Sequence, residues 1–252
     1  MPDQRQHRGP HPEDALLFAR DAWPKLQHAV EHLSWLLTRG YAEPSALKLV
    51  GDHFQLAARQ RIAVRRAACA DQALAARAAN CVPPAKLAGC HLALDGFNLL
   101  TTVEAALAGG VLLCCRDRCV RDMASVHGSY RKVLETQPAL EHIGTFLATL
   151  DVSSVTWWLD RPVSNSGRLR QRIEQTARQH RWQWTVELVP DADRPLQSTS
   201  EIVVSADSGI LDRCHRWSNI TPQILTALST SLWLVPMVGD AAQLSPEDRC
   251  RS

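Results

Sequence analysis

Three short apolar runs in this sequence each end in an aspartate: LALD at Asp95, WWLD at Asp160 and VVSAD at Asp207. A carboxylate leaving a buried strand must be solvated, paired or bound to a cation. If the three runs are parallel strands of one open sheet, their ends share the edge where ligands bind. Three carboxylates there repel one another, and a raised pKa, a basic partner or a divalent cation relieves that repulsion. Oxygen-only ligands select Mg²⁺ or Mn²⁺ over zinc, and such an ion supports hydrolysis at phosphorus. The bland alternative is that each Asp is a helix N-cap or loop residue.

The elements needed to bring these acids together can be read from the pattern. LALD and DGFNLLTTVEAALAGG read as a strand, a turn and a helix, with Asn98 as a candidate N-cap and Gly109-Gly110 as the stop. VLLCC is a second apolar run, and 122–131 reads as mostly helical. TQPALEHIGTFLATL is an amphipathic helix with Leu140, Ile143 and Leu147 on one face. WWLD closes a third strand, SNSGRLRQRIEQTARQH is a helix, and WTVELVP and EIVVSAD are further strands. The helix after EIVVSAD is expected to run through Trp217, and ILTALSTSLWLVPM reads as helical. Short apolar strands alternating with amphipathic helices define an α/β fold with a parallel sheet flanked by helices.

Ahead of this unit lies a different pattern. Residues 1–20 are a polar lead-in expected to be loose. Residues 21–80 read as a small all-helical domain: PKLQHAVEHLSWLLTRG, then PSALKLVG, then an Ala/Arg-rich helix from Leu56 to Ala79. Residues 81–89, with Pro83-Pro84, read as a linker. The α/β domain spans 90–238, and 239–252 is expected to be a disordered tail.

Composition narrows the classes. With 28 Lys+Arg against 26 Asp+Glu, bulk charge names no partner. No run approaches the roughly 18 apolar residues of a membrane helix, and the polar start is unlike a secretory signal. The eight cysteines therefore read as reduced thiols in a cytoplasmic protein. CCRDRC has no C-x-x-C pair, so a structural zinc is disfavoured.

LALDGFNLL resembles the opening strand and loop of the PIN-like nucleases, above all their NYN branch, in which Asp-Gly-x-Asn follows the first strand. VVSADSGIL resembles a late strand of that superfamily and WWLDRPVSNSG an intermediate one, so the likeness covers about residues 90 to 220. Over the whole chain, RGYAEPSALKLVGDHFQL, DGFNLLTTVEAALAGG, DMASVHGSYRKV, LDRPVSNSGRL and SADSGILDRC resemble an uncharacterised prokaryotic family. That family joins a domain of unknown function, number 434, to a PIN-like C-terminal domain. It brings no established activity, so the nuclease expectation comes from the wider superfamily.

The resemblance implies that Asp95, Asp160 and Asp207 hold Mg²⁺ or Mn²⁺, that Asn98 orients the ligand loop or a water, and that Asp212 or Glu104 supplies a fourth acid. The acid that the superfamily carries on its second or third helix has no clear counterpart; Asp122 is a candidate. The implied substrate is RNA, with DNA as the alternative. The RPVSNSG loop is not a general feature of the superfamily. There Ser164, Asn165, Ser166 and Gly167 precede a helix whose N–H groups could hold a phosphate between Arg161 and Arg168. The other reading of the loop is a plain N-cap turn. Arg131, in DMASVHGSYRK, could clamp a phosphodiester; a Ser/His/Asp triad there lacks a nucleophile elbow. Lys48, Arg59, Arg61, Arg65 and Arg66 could form a backbone-binding surface or an ordinary solvated helix face. Trp157, Trp158, Trp182 and Trp184 fit core better than a base-stacking platform. A non-catalytic RNA-binding module and a small-molecule phosphohydrolase are the rival functions on this fold.

Overall fold

The computed structural model describes residues 7–124, 130 and 132–239. The expected tail from 240 onward and Arg131 therefore lie outside the described residues, as do Ser125, His127 and Ser129 of the DMASVHGSYRK segment.

Four strands make the main sheet: β1 (His91–Asp95), β4 (Ser154–Asp160), β5 (Trp184–Val189) and β6 (Ile202–Val204). All pair in parallel, in the order β5-β4-β1-β6. The chain steps outward from β1 to β4 to β5, then returns to the other side of β1 with β6. The order thus reverses between β1 and β6, which is where open α/β sheets open a ligand crevice.

Side chains alternate across this sheet with the strand period of two. Leu92 and Leu94, with Trp157 and Leu159, enter a core under α6 (Gly96–Leu107), α7 (Thr136–Ala148), α8 (Ser166–His180) and α11 (Thr221–Thr226). Ala93 and Val203 face the opposite side, where Trp158 and Trp217 pack with α9 (Asp193–Ser198) and α10 (Ser208–Leu211). Gly96 is required where α6 starts. A Cβ there would lie 2.5 Å from Leu159 Cδ2 and 2.9 Å from the Trp158 carbonyl, so a side chain would push the helix off β4.

A second sheet, in the order β3-β2-β7, was not foreseen. It is built from β2 (Val111–Cys114), β3 (Val120–Asp122) and β7 (Trp233–Pro236). Val120–Asp122 pairs antiparallel with β2, so Asp122 ends a strand where a helix was expected. CCRDRC is the hairpin turn between them, with Arg118 in the left-handed region at φ 64°. The last apolar stretch is α11 followed by β7, because Trp233–Pro236 gains a parallel partner in β2. Likewise α10 ends at Leu211, and Trp217 forms bridges to Val203 and Cys81 instead of continuing the helix.

The helical region comprises α1 (Asp14–Leu17), α2 (Trp23–Thr38), α3 (Glu43–His53), α4 (Ala58–Ala67) and α5 (Asp71–Asn80). The helix expected from Leu56 to Ala79 breaks at Ala68–Ala70. There Cys69 is buried and its carbonyl accepts from Arg116 Nη1 at 2.7 Å, a tertiary contact that outweighs local propensity. The face of α2 made by Leu26, Val30 and Leu33 shares one core with Val111, Leu113 and Val235 of the second sheet. Leu112, between them, points to the main core. The second sheet is therefore the layer that joins the helices to the α/β unit.

The lead-in and linker are more structured than their composition suggests. Arg8 ion-pairs with the fully buried Glu104, and Asp14 pairs with Arg59. Val82 N donates to the Trp217 carbonyl at 2.7 Å, and Leu87 is fully buried. Among the described residues no helix is long and apolar enough to cross a membrane, and no disulfide joins two cysteines.

Candidate functional site

Asp95 ends β1 and is itself the N-cap of α6, in the place expected for Asn98. Its Oδ1 accepts from Asn98 N at 3.3 Å, and its Oδ2 accepts from Ser205 Oγ at 2.7 Å. Ser205 Oγ also accepts from Asp207 N at 2.9 Å, so one hydroxyl ties the acid after β6 to the acid after β1. The Asn98 side-chain oxygen accepts from Ala206 N at 2.9 Å and staples the same loop from the α6 side. Asp207 caps α10, with its Oδ1 accepting from Gly209 N at 2.7 Å and Ile210 N at 3.2 Å. Asp95, Asn98, Ser205 and Asp207 thus meet between β1 and β6, at the reversal of strand order.

Asp160 ends β4 on the same edge, and its Oδ1 accepts from Ala192 N at 2.8 Å. That bond holds the turn that carries Asp191 and Asp193. Burial pushes the Asp95 carboxyl up to about 7, against the Ser205 and Asn98 hydrogen bonds, and the Asp207 and Asp193 carboxylates push the same way. Burial also raises Asp193, reinforced by Asp207, Asp191 and Asp160 and opposed by Arg213. Asp95 therefore lies within the fields of Asp207 and Asp193, and Asp193 within those of Asp207 and Asp160. Asp193 and Ser205 were missed in the sequence, yet both carried a signal. PDAD directly follows the WTVELV strand, and Ser205 precedes Asp207 by two residues.

The three-carboxylate cage expected of Asp95, Asp160 and Asp207 is not formed. Among the described residues no three His, Cys, Asp or Glu side chains are grouped to hold a metal. Backbone N–H groups and Ser205 engage these carboxylates instead.

Both candidates for a fourth acid lie elsewhere. Asp212 pairs with Arg77 of α5 at 2.7 Å. Glu104 is enclosed with Arg8, Tyr130 and Thr136, and burial raises its pKa despite their donors. Asp122 accepts from Thr102 Oγ1 at 2.8 Å and Ala124 N at 2.7 Å, beneath α6.

The SNSG loop is on the correct edge but serves the fold. Asn165 takes the left-handed conformation at φ 69° and donates from Nδ2 to the Tyr130 carbonyl at 2.9 Å. Ser164 O accepts from Tyr130 N, and the buried Ser166 donates to the Arg161 carbonyl. Arg161 Nη2 donates to Leu188 O at 2.7 Å. Gly167 and Arg168 are exposed, with Arg168 Nη1 3.5 Å from Asn165 Oδ1. The basic helix surface is similarly engaged: Arg59 with Asp14, Arg61 with Asp52, Arg65 with Glu43, and Arg66 with the carbonyls of Asp122 and Ala124. Trp157 is core, as expected, and Trp182 and Trp184 continue its aromatic ladder.

Beside the site lies a second buried cluster of charge. Arg121 of β3 donates to the Ala206 carbonyl at 2.7 Å and to both oxygens of Asp117, at 2.8 and 2.6 Å. Arg77 ion-pairs with Asp117 from the other side. Burial works to raise the Asp117 carboxyl, but the two guanidiniums hold it down at about 2.

Comparison with known proteins follows the two halves of the chain. Residues 25–79 match the family described as "Protein of unknown function (DUF434)", and residues 84–223 match "Domain of unknown function (DUF5616)". A protein of Methanocaldococcus jannaschii, described as uncharacterized, is 27% identical over 186 residues, spanning 74% of this chain and 88% of its own. No solved structure matches the chain. With more than half of its residues inside the second match and a DUF434 segment ahead of it, the protein belongs to the DUF5616 family.

Proposed function

We propose that the carboxylate edge between β1 and β6 hydrolyses a phosphodiester, with RNA as the substrate, using Mg²⁺ or Mn²⁺. The observation that carries this is the Ser205 bridge that brings Asp95 and Asp207 together at the crevice of a parallel sheet, with Asp193 in the field of both and Asp95 raised to about 7. A cation is the simplest relief for carboxylates so placed, and an oxygen-only donor set suits these two ions. A preformed cage is unnecessary, since Mg²⁺ commonly takes one or two carboxylates and completes its shell with water and substrate phosphate. Asp95 and Asp207 are the two that would hold it, with Asp193 next in reach of its field. When bound, the ion would acidify a water and offset charge on the phosphoryl oxygens.

The chain's own residues do the positioning. Ser205 Oγ fixes the Asp95 carboxylate, and Asn98 locks the loop that carries Ser205 and Asp207. Asp160 holds the turn that carries Asp193. Arg213, whose charge opposes the rise at Asp193, is a cation that would meet substrate phosphate on this edge. RNA as substrate rests on the PIN/NYN resemblance alone, whereas Arg161 and Arg168 as phosphate contacts rest on the helix start they flank, and Asp160 as a direct ligand rests on its place at the strand edge as well as on the resemblance.

The test is cleavage of labelled single-stranded RNA and DNA with Mg²⁺, Mn²⁺ or EDTA. Asp95→Asn should lower metal-dependent cleavage by at least about 100-fold and weaken Mg²⁺ binding by calorimetry. Cleavage that is undiminished in Asp95→Asn, or indifferent to EDTA, would remove this reading.

A further inference from the structure

We infer, resting on the reading of the carboxylate edge as a metal site, that Arg121 is a positioning residue of that edge and that the DUF434 segment backs it through Arg77. Arg121 holds the loop that sets Asp207 beside Asp95. The loop is gripped from two sides. Ala206, buried between Ser205 and Asp207, donates its N–H to Asn98 Oδ1 at 2.9 Å, and its carbonyl oxygen accepts from Arg121 Nε at 2.7 Å. Asn98 acts from α6 and Arg121 from β3, so the peptide planes on both sides of Ala206 are fixed. Those planes lead to Ser205, whose hydroxyl bridges to Asp95, and to Asp207. Like charges at one crevice push the loop away from β1. A carbonyl held by a charged donor is a strong hold against that push.

The way Arg121 uses its donors points to this role. Nη1 and Nη2 go to the two oxygens of Asp117 at 2.8 and 2.6 Å, a fork that fixes the guanidinium plane. With the plane fixed, Nε has one direction, and that direction is the loop. Nη2 also lies 3.4 Å from Ser208 Oγ, on the residue after Asp207. The charge of Arg121 is already met by the Asp117 fork; the Nε bond is what ties the ion cluster to the site. Asp117 is steadied in turn by Cys119 N at 3.2 Å and by Arg77 of α5. Arg77 lies inside the DUF434 match at 25–79, whereas Asp117, Arg121 and Ala206 lie inside the DUF5616 match at 84–223. The run of bonds from α5 to the Ala206 carbonyl therefore crosses from one segment to the other and gives the helical segment a part in the site.

The experiment is native-state hydrogen exchange on the full chain in EDTA, with Mg²⁺ calorimetry alongside. Arg121→Lys keeps the charge beside Asp117, but one ammonium cannot reproduce both the fork and the bond to Ala206. The Ala206 amide should lose at least about tenfold in protection, while the amides of β1 and β4 change by less than about twofold. Mg²⁺ affinity should fall by about tenfold or more in the same variant. Arg77→Gln should lower Ala206 protection by about threefold or more. Asp14→Asn, which breaks an ion pair elsewhere, should leave the Ala206 and strand amides in step. A loss shared equally with the strand amides in Arg121→Lys overturns the positioning role, as does an unchanged Mg²⁺ affinity. An Ala206 amide indifferent to Arg77→Gln overturns the part given to the DUF434 segment. Wild type that binds no Mg²⁺ removes the metal reading, and the hold on Ala206 is then decided by exchange alone, which needs no metal.

Discussion

Asp95 is partly buried and Asp117 buried, and one loop links their surroundings, yet their protons are pushed in opposite directions. Asp95 rises to about 7 and Asp117 falls to about 2. Burial pushes both upward. The difference lies in the neighbours: Asp207 and Asp193 beside Asp95, Arg121 and Arg77 beside Asp117. A buried acid flanked by guanidiniums is already satisfied and holds the structure together. One flanked by other acids carries an unmet demand for positive charge, which marks it as a candidate for function.

That contrast can be broken most severely at Asp117. Asp117→Asn leaves the buried Arg121 guanidinium without its counter-ion and Arg77 with Asp212 alone, and should cost about 3–5 kcal/mol in urea unfolding. A loss under about 1 kcal/mol would mean that water reaches the cluster. The next effect is acid sensitivity. The folded pKa of Asp117 is depressed from 3.8 to about 2, so its contribution is complete above 3.8 and is lost as pH falls through 2. Wild type should lose about 2 kcal/mol over that window, and Asp117→Asn should not show this component.

Asp95 should behave in the reverse sense. Its folded pKa is raised, so its contribution is complete below 3.8 and is lost as pH rises through about 7. Without metal, Asp95→Asn should therefore be more stable than wild type by about 1–2 kcal/mol near pH 8. That gap should close on acidification to about pH 4 and shrink when Mg²⁺ is added to wild type. An Asp95→Asn variant less stable than wild type at pH 8 would place Asp95 in the same class as Asp117. The smallest effect belongs to Asp212, whose side chain is 43% exposed. Asp212→Asn should cost under about 1 kcal/mol and leave metal binding intact.

The strand-and-aspartate rhythm made the main sheet legible, because a buried parallel strand needs an unbroken apolar run and its end is where a charge can emerge. LALD, WWLD and VVSAD signalled three of its four strands, and their register brings the three acids to one edge. What the sequence concealed was pairing. VLLC and WLVP are as apolar as the main strands, and nothing local says that they pair with each other across more than a hundred residues. The cluster of Arg77, Asp117, Arg121 and Asp212 was hidden for the same reason. Each looks like a surface charge until the fold brings it beside the others. Asp193 was lost differently, since its strand was recognised but the acids just past its end were not weighed.

The pairing of β7 with β2 also has a consequence for synthesis. Helices α2 to α4 are made early, but their core includes Val235 and Met237, which are translated long after them. While the chain emerges, the apolar face of Leu26, Val30 and Leu33 lacks part of its cover, and β2 presents an unpaired edge. Of the two halves, the one made first is completed last. A ribosome stalled before Trp233 would hold an adhesive intermediate, the kind of species that chaperones exist to shield.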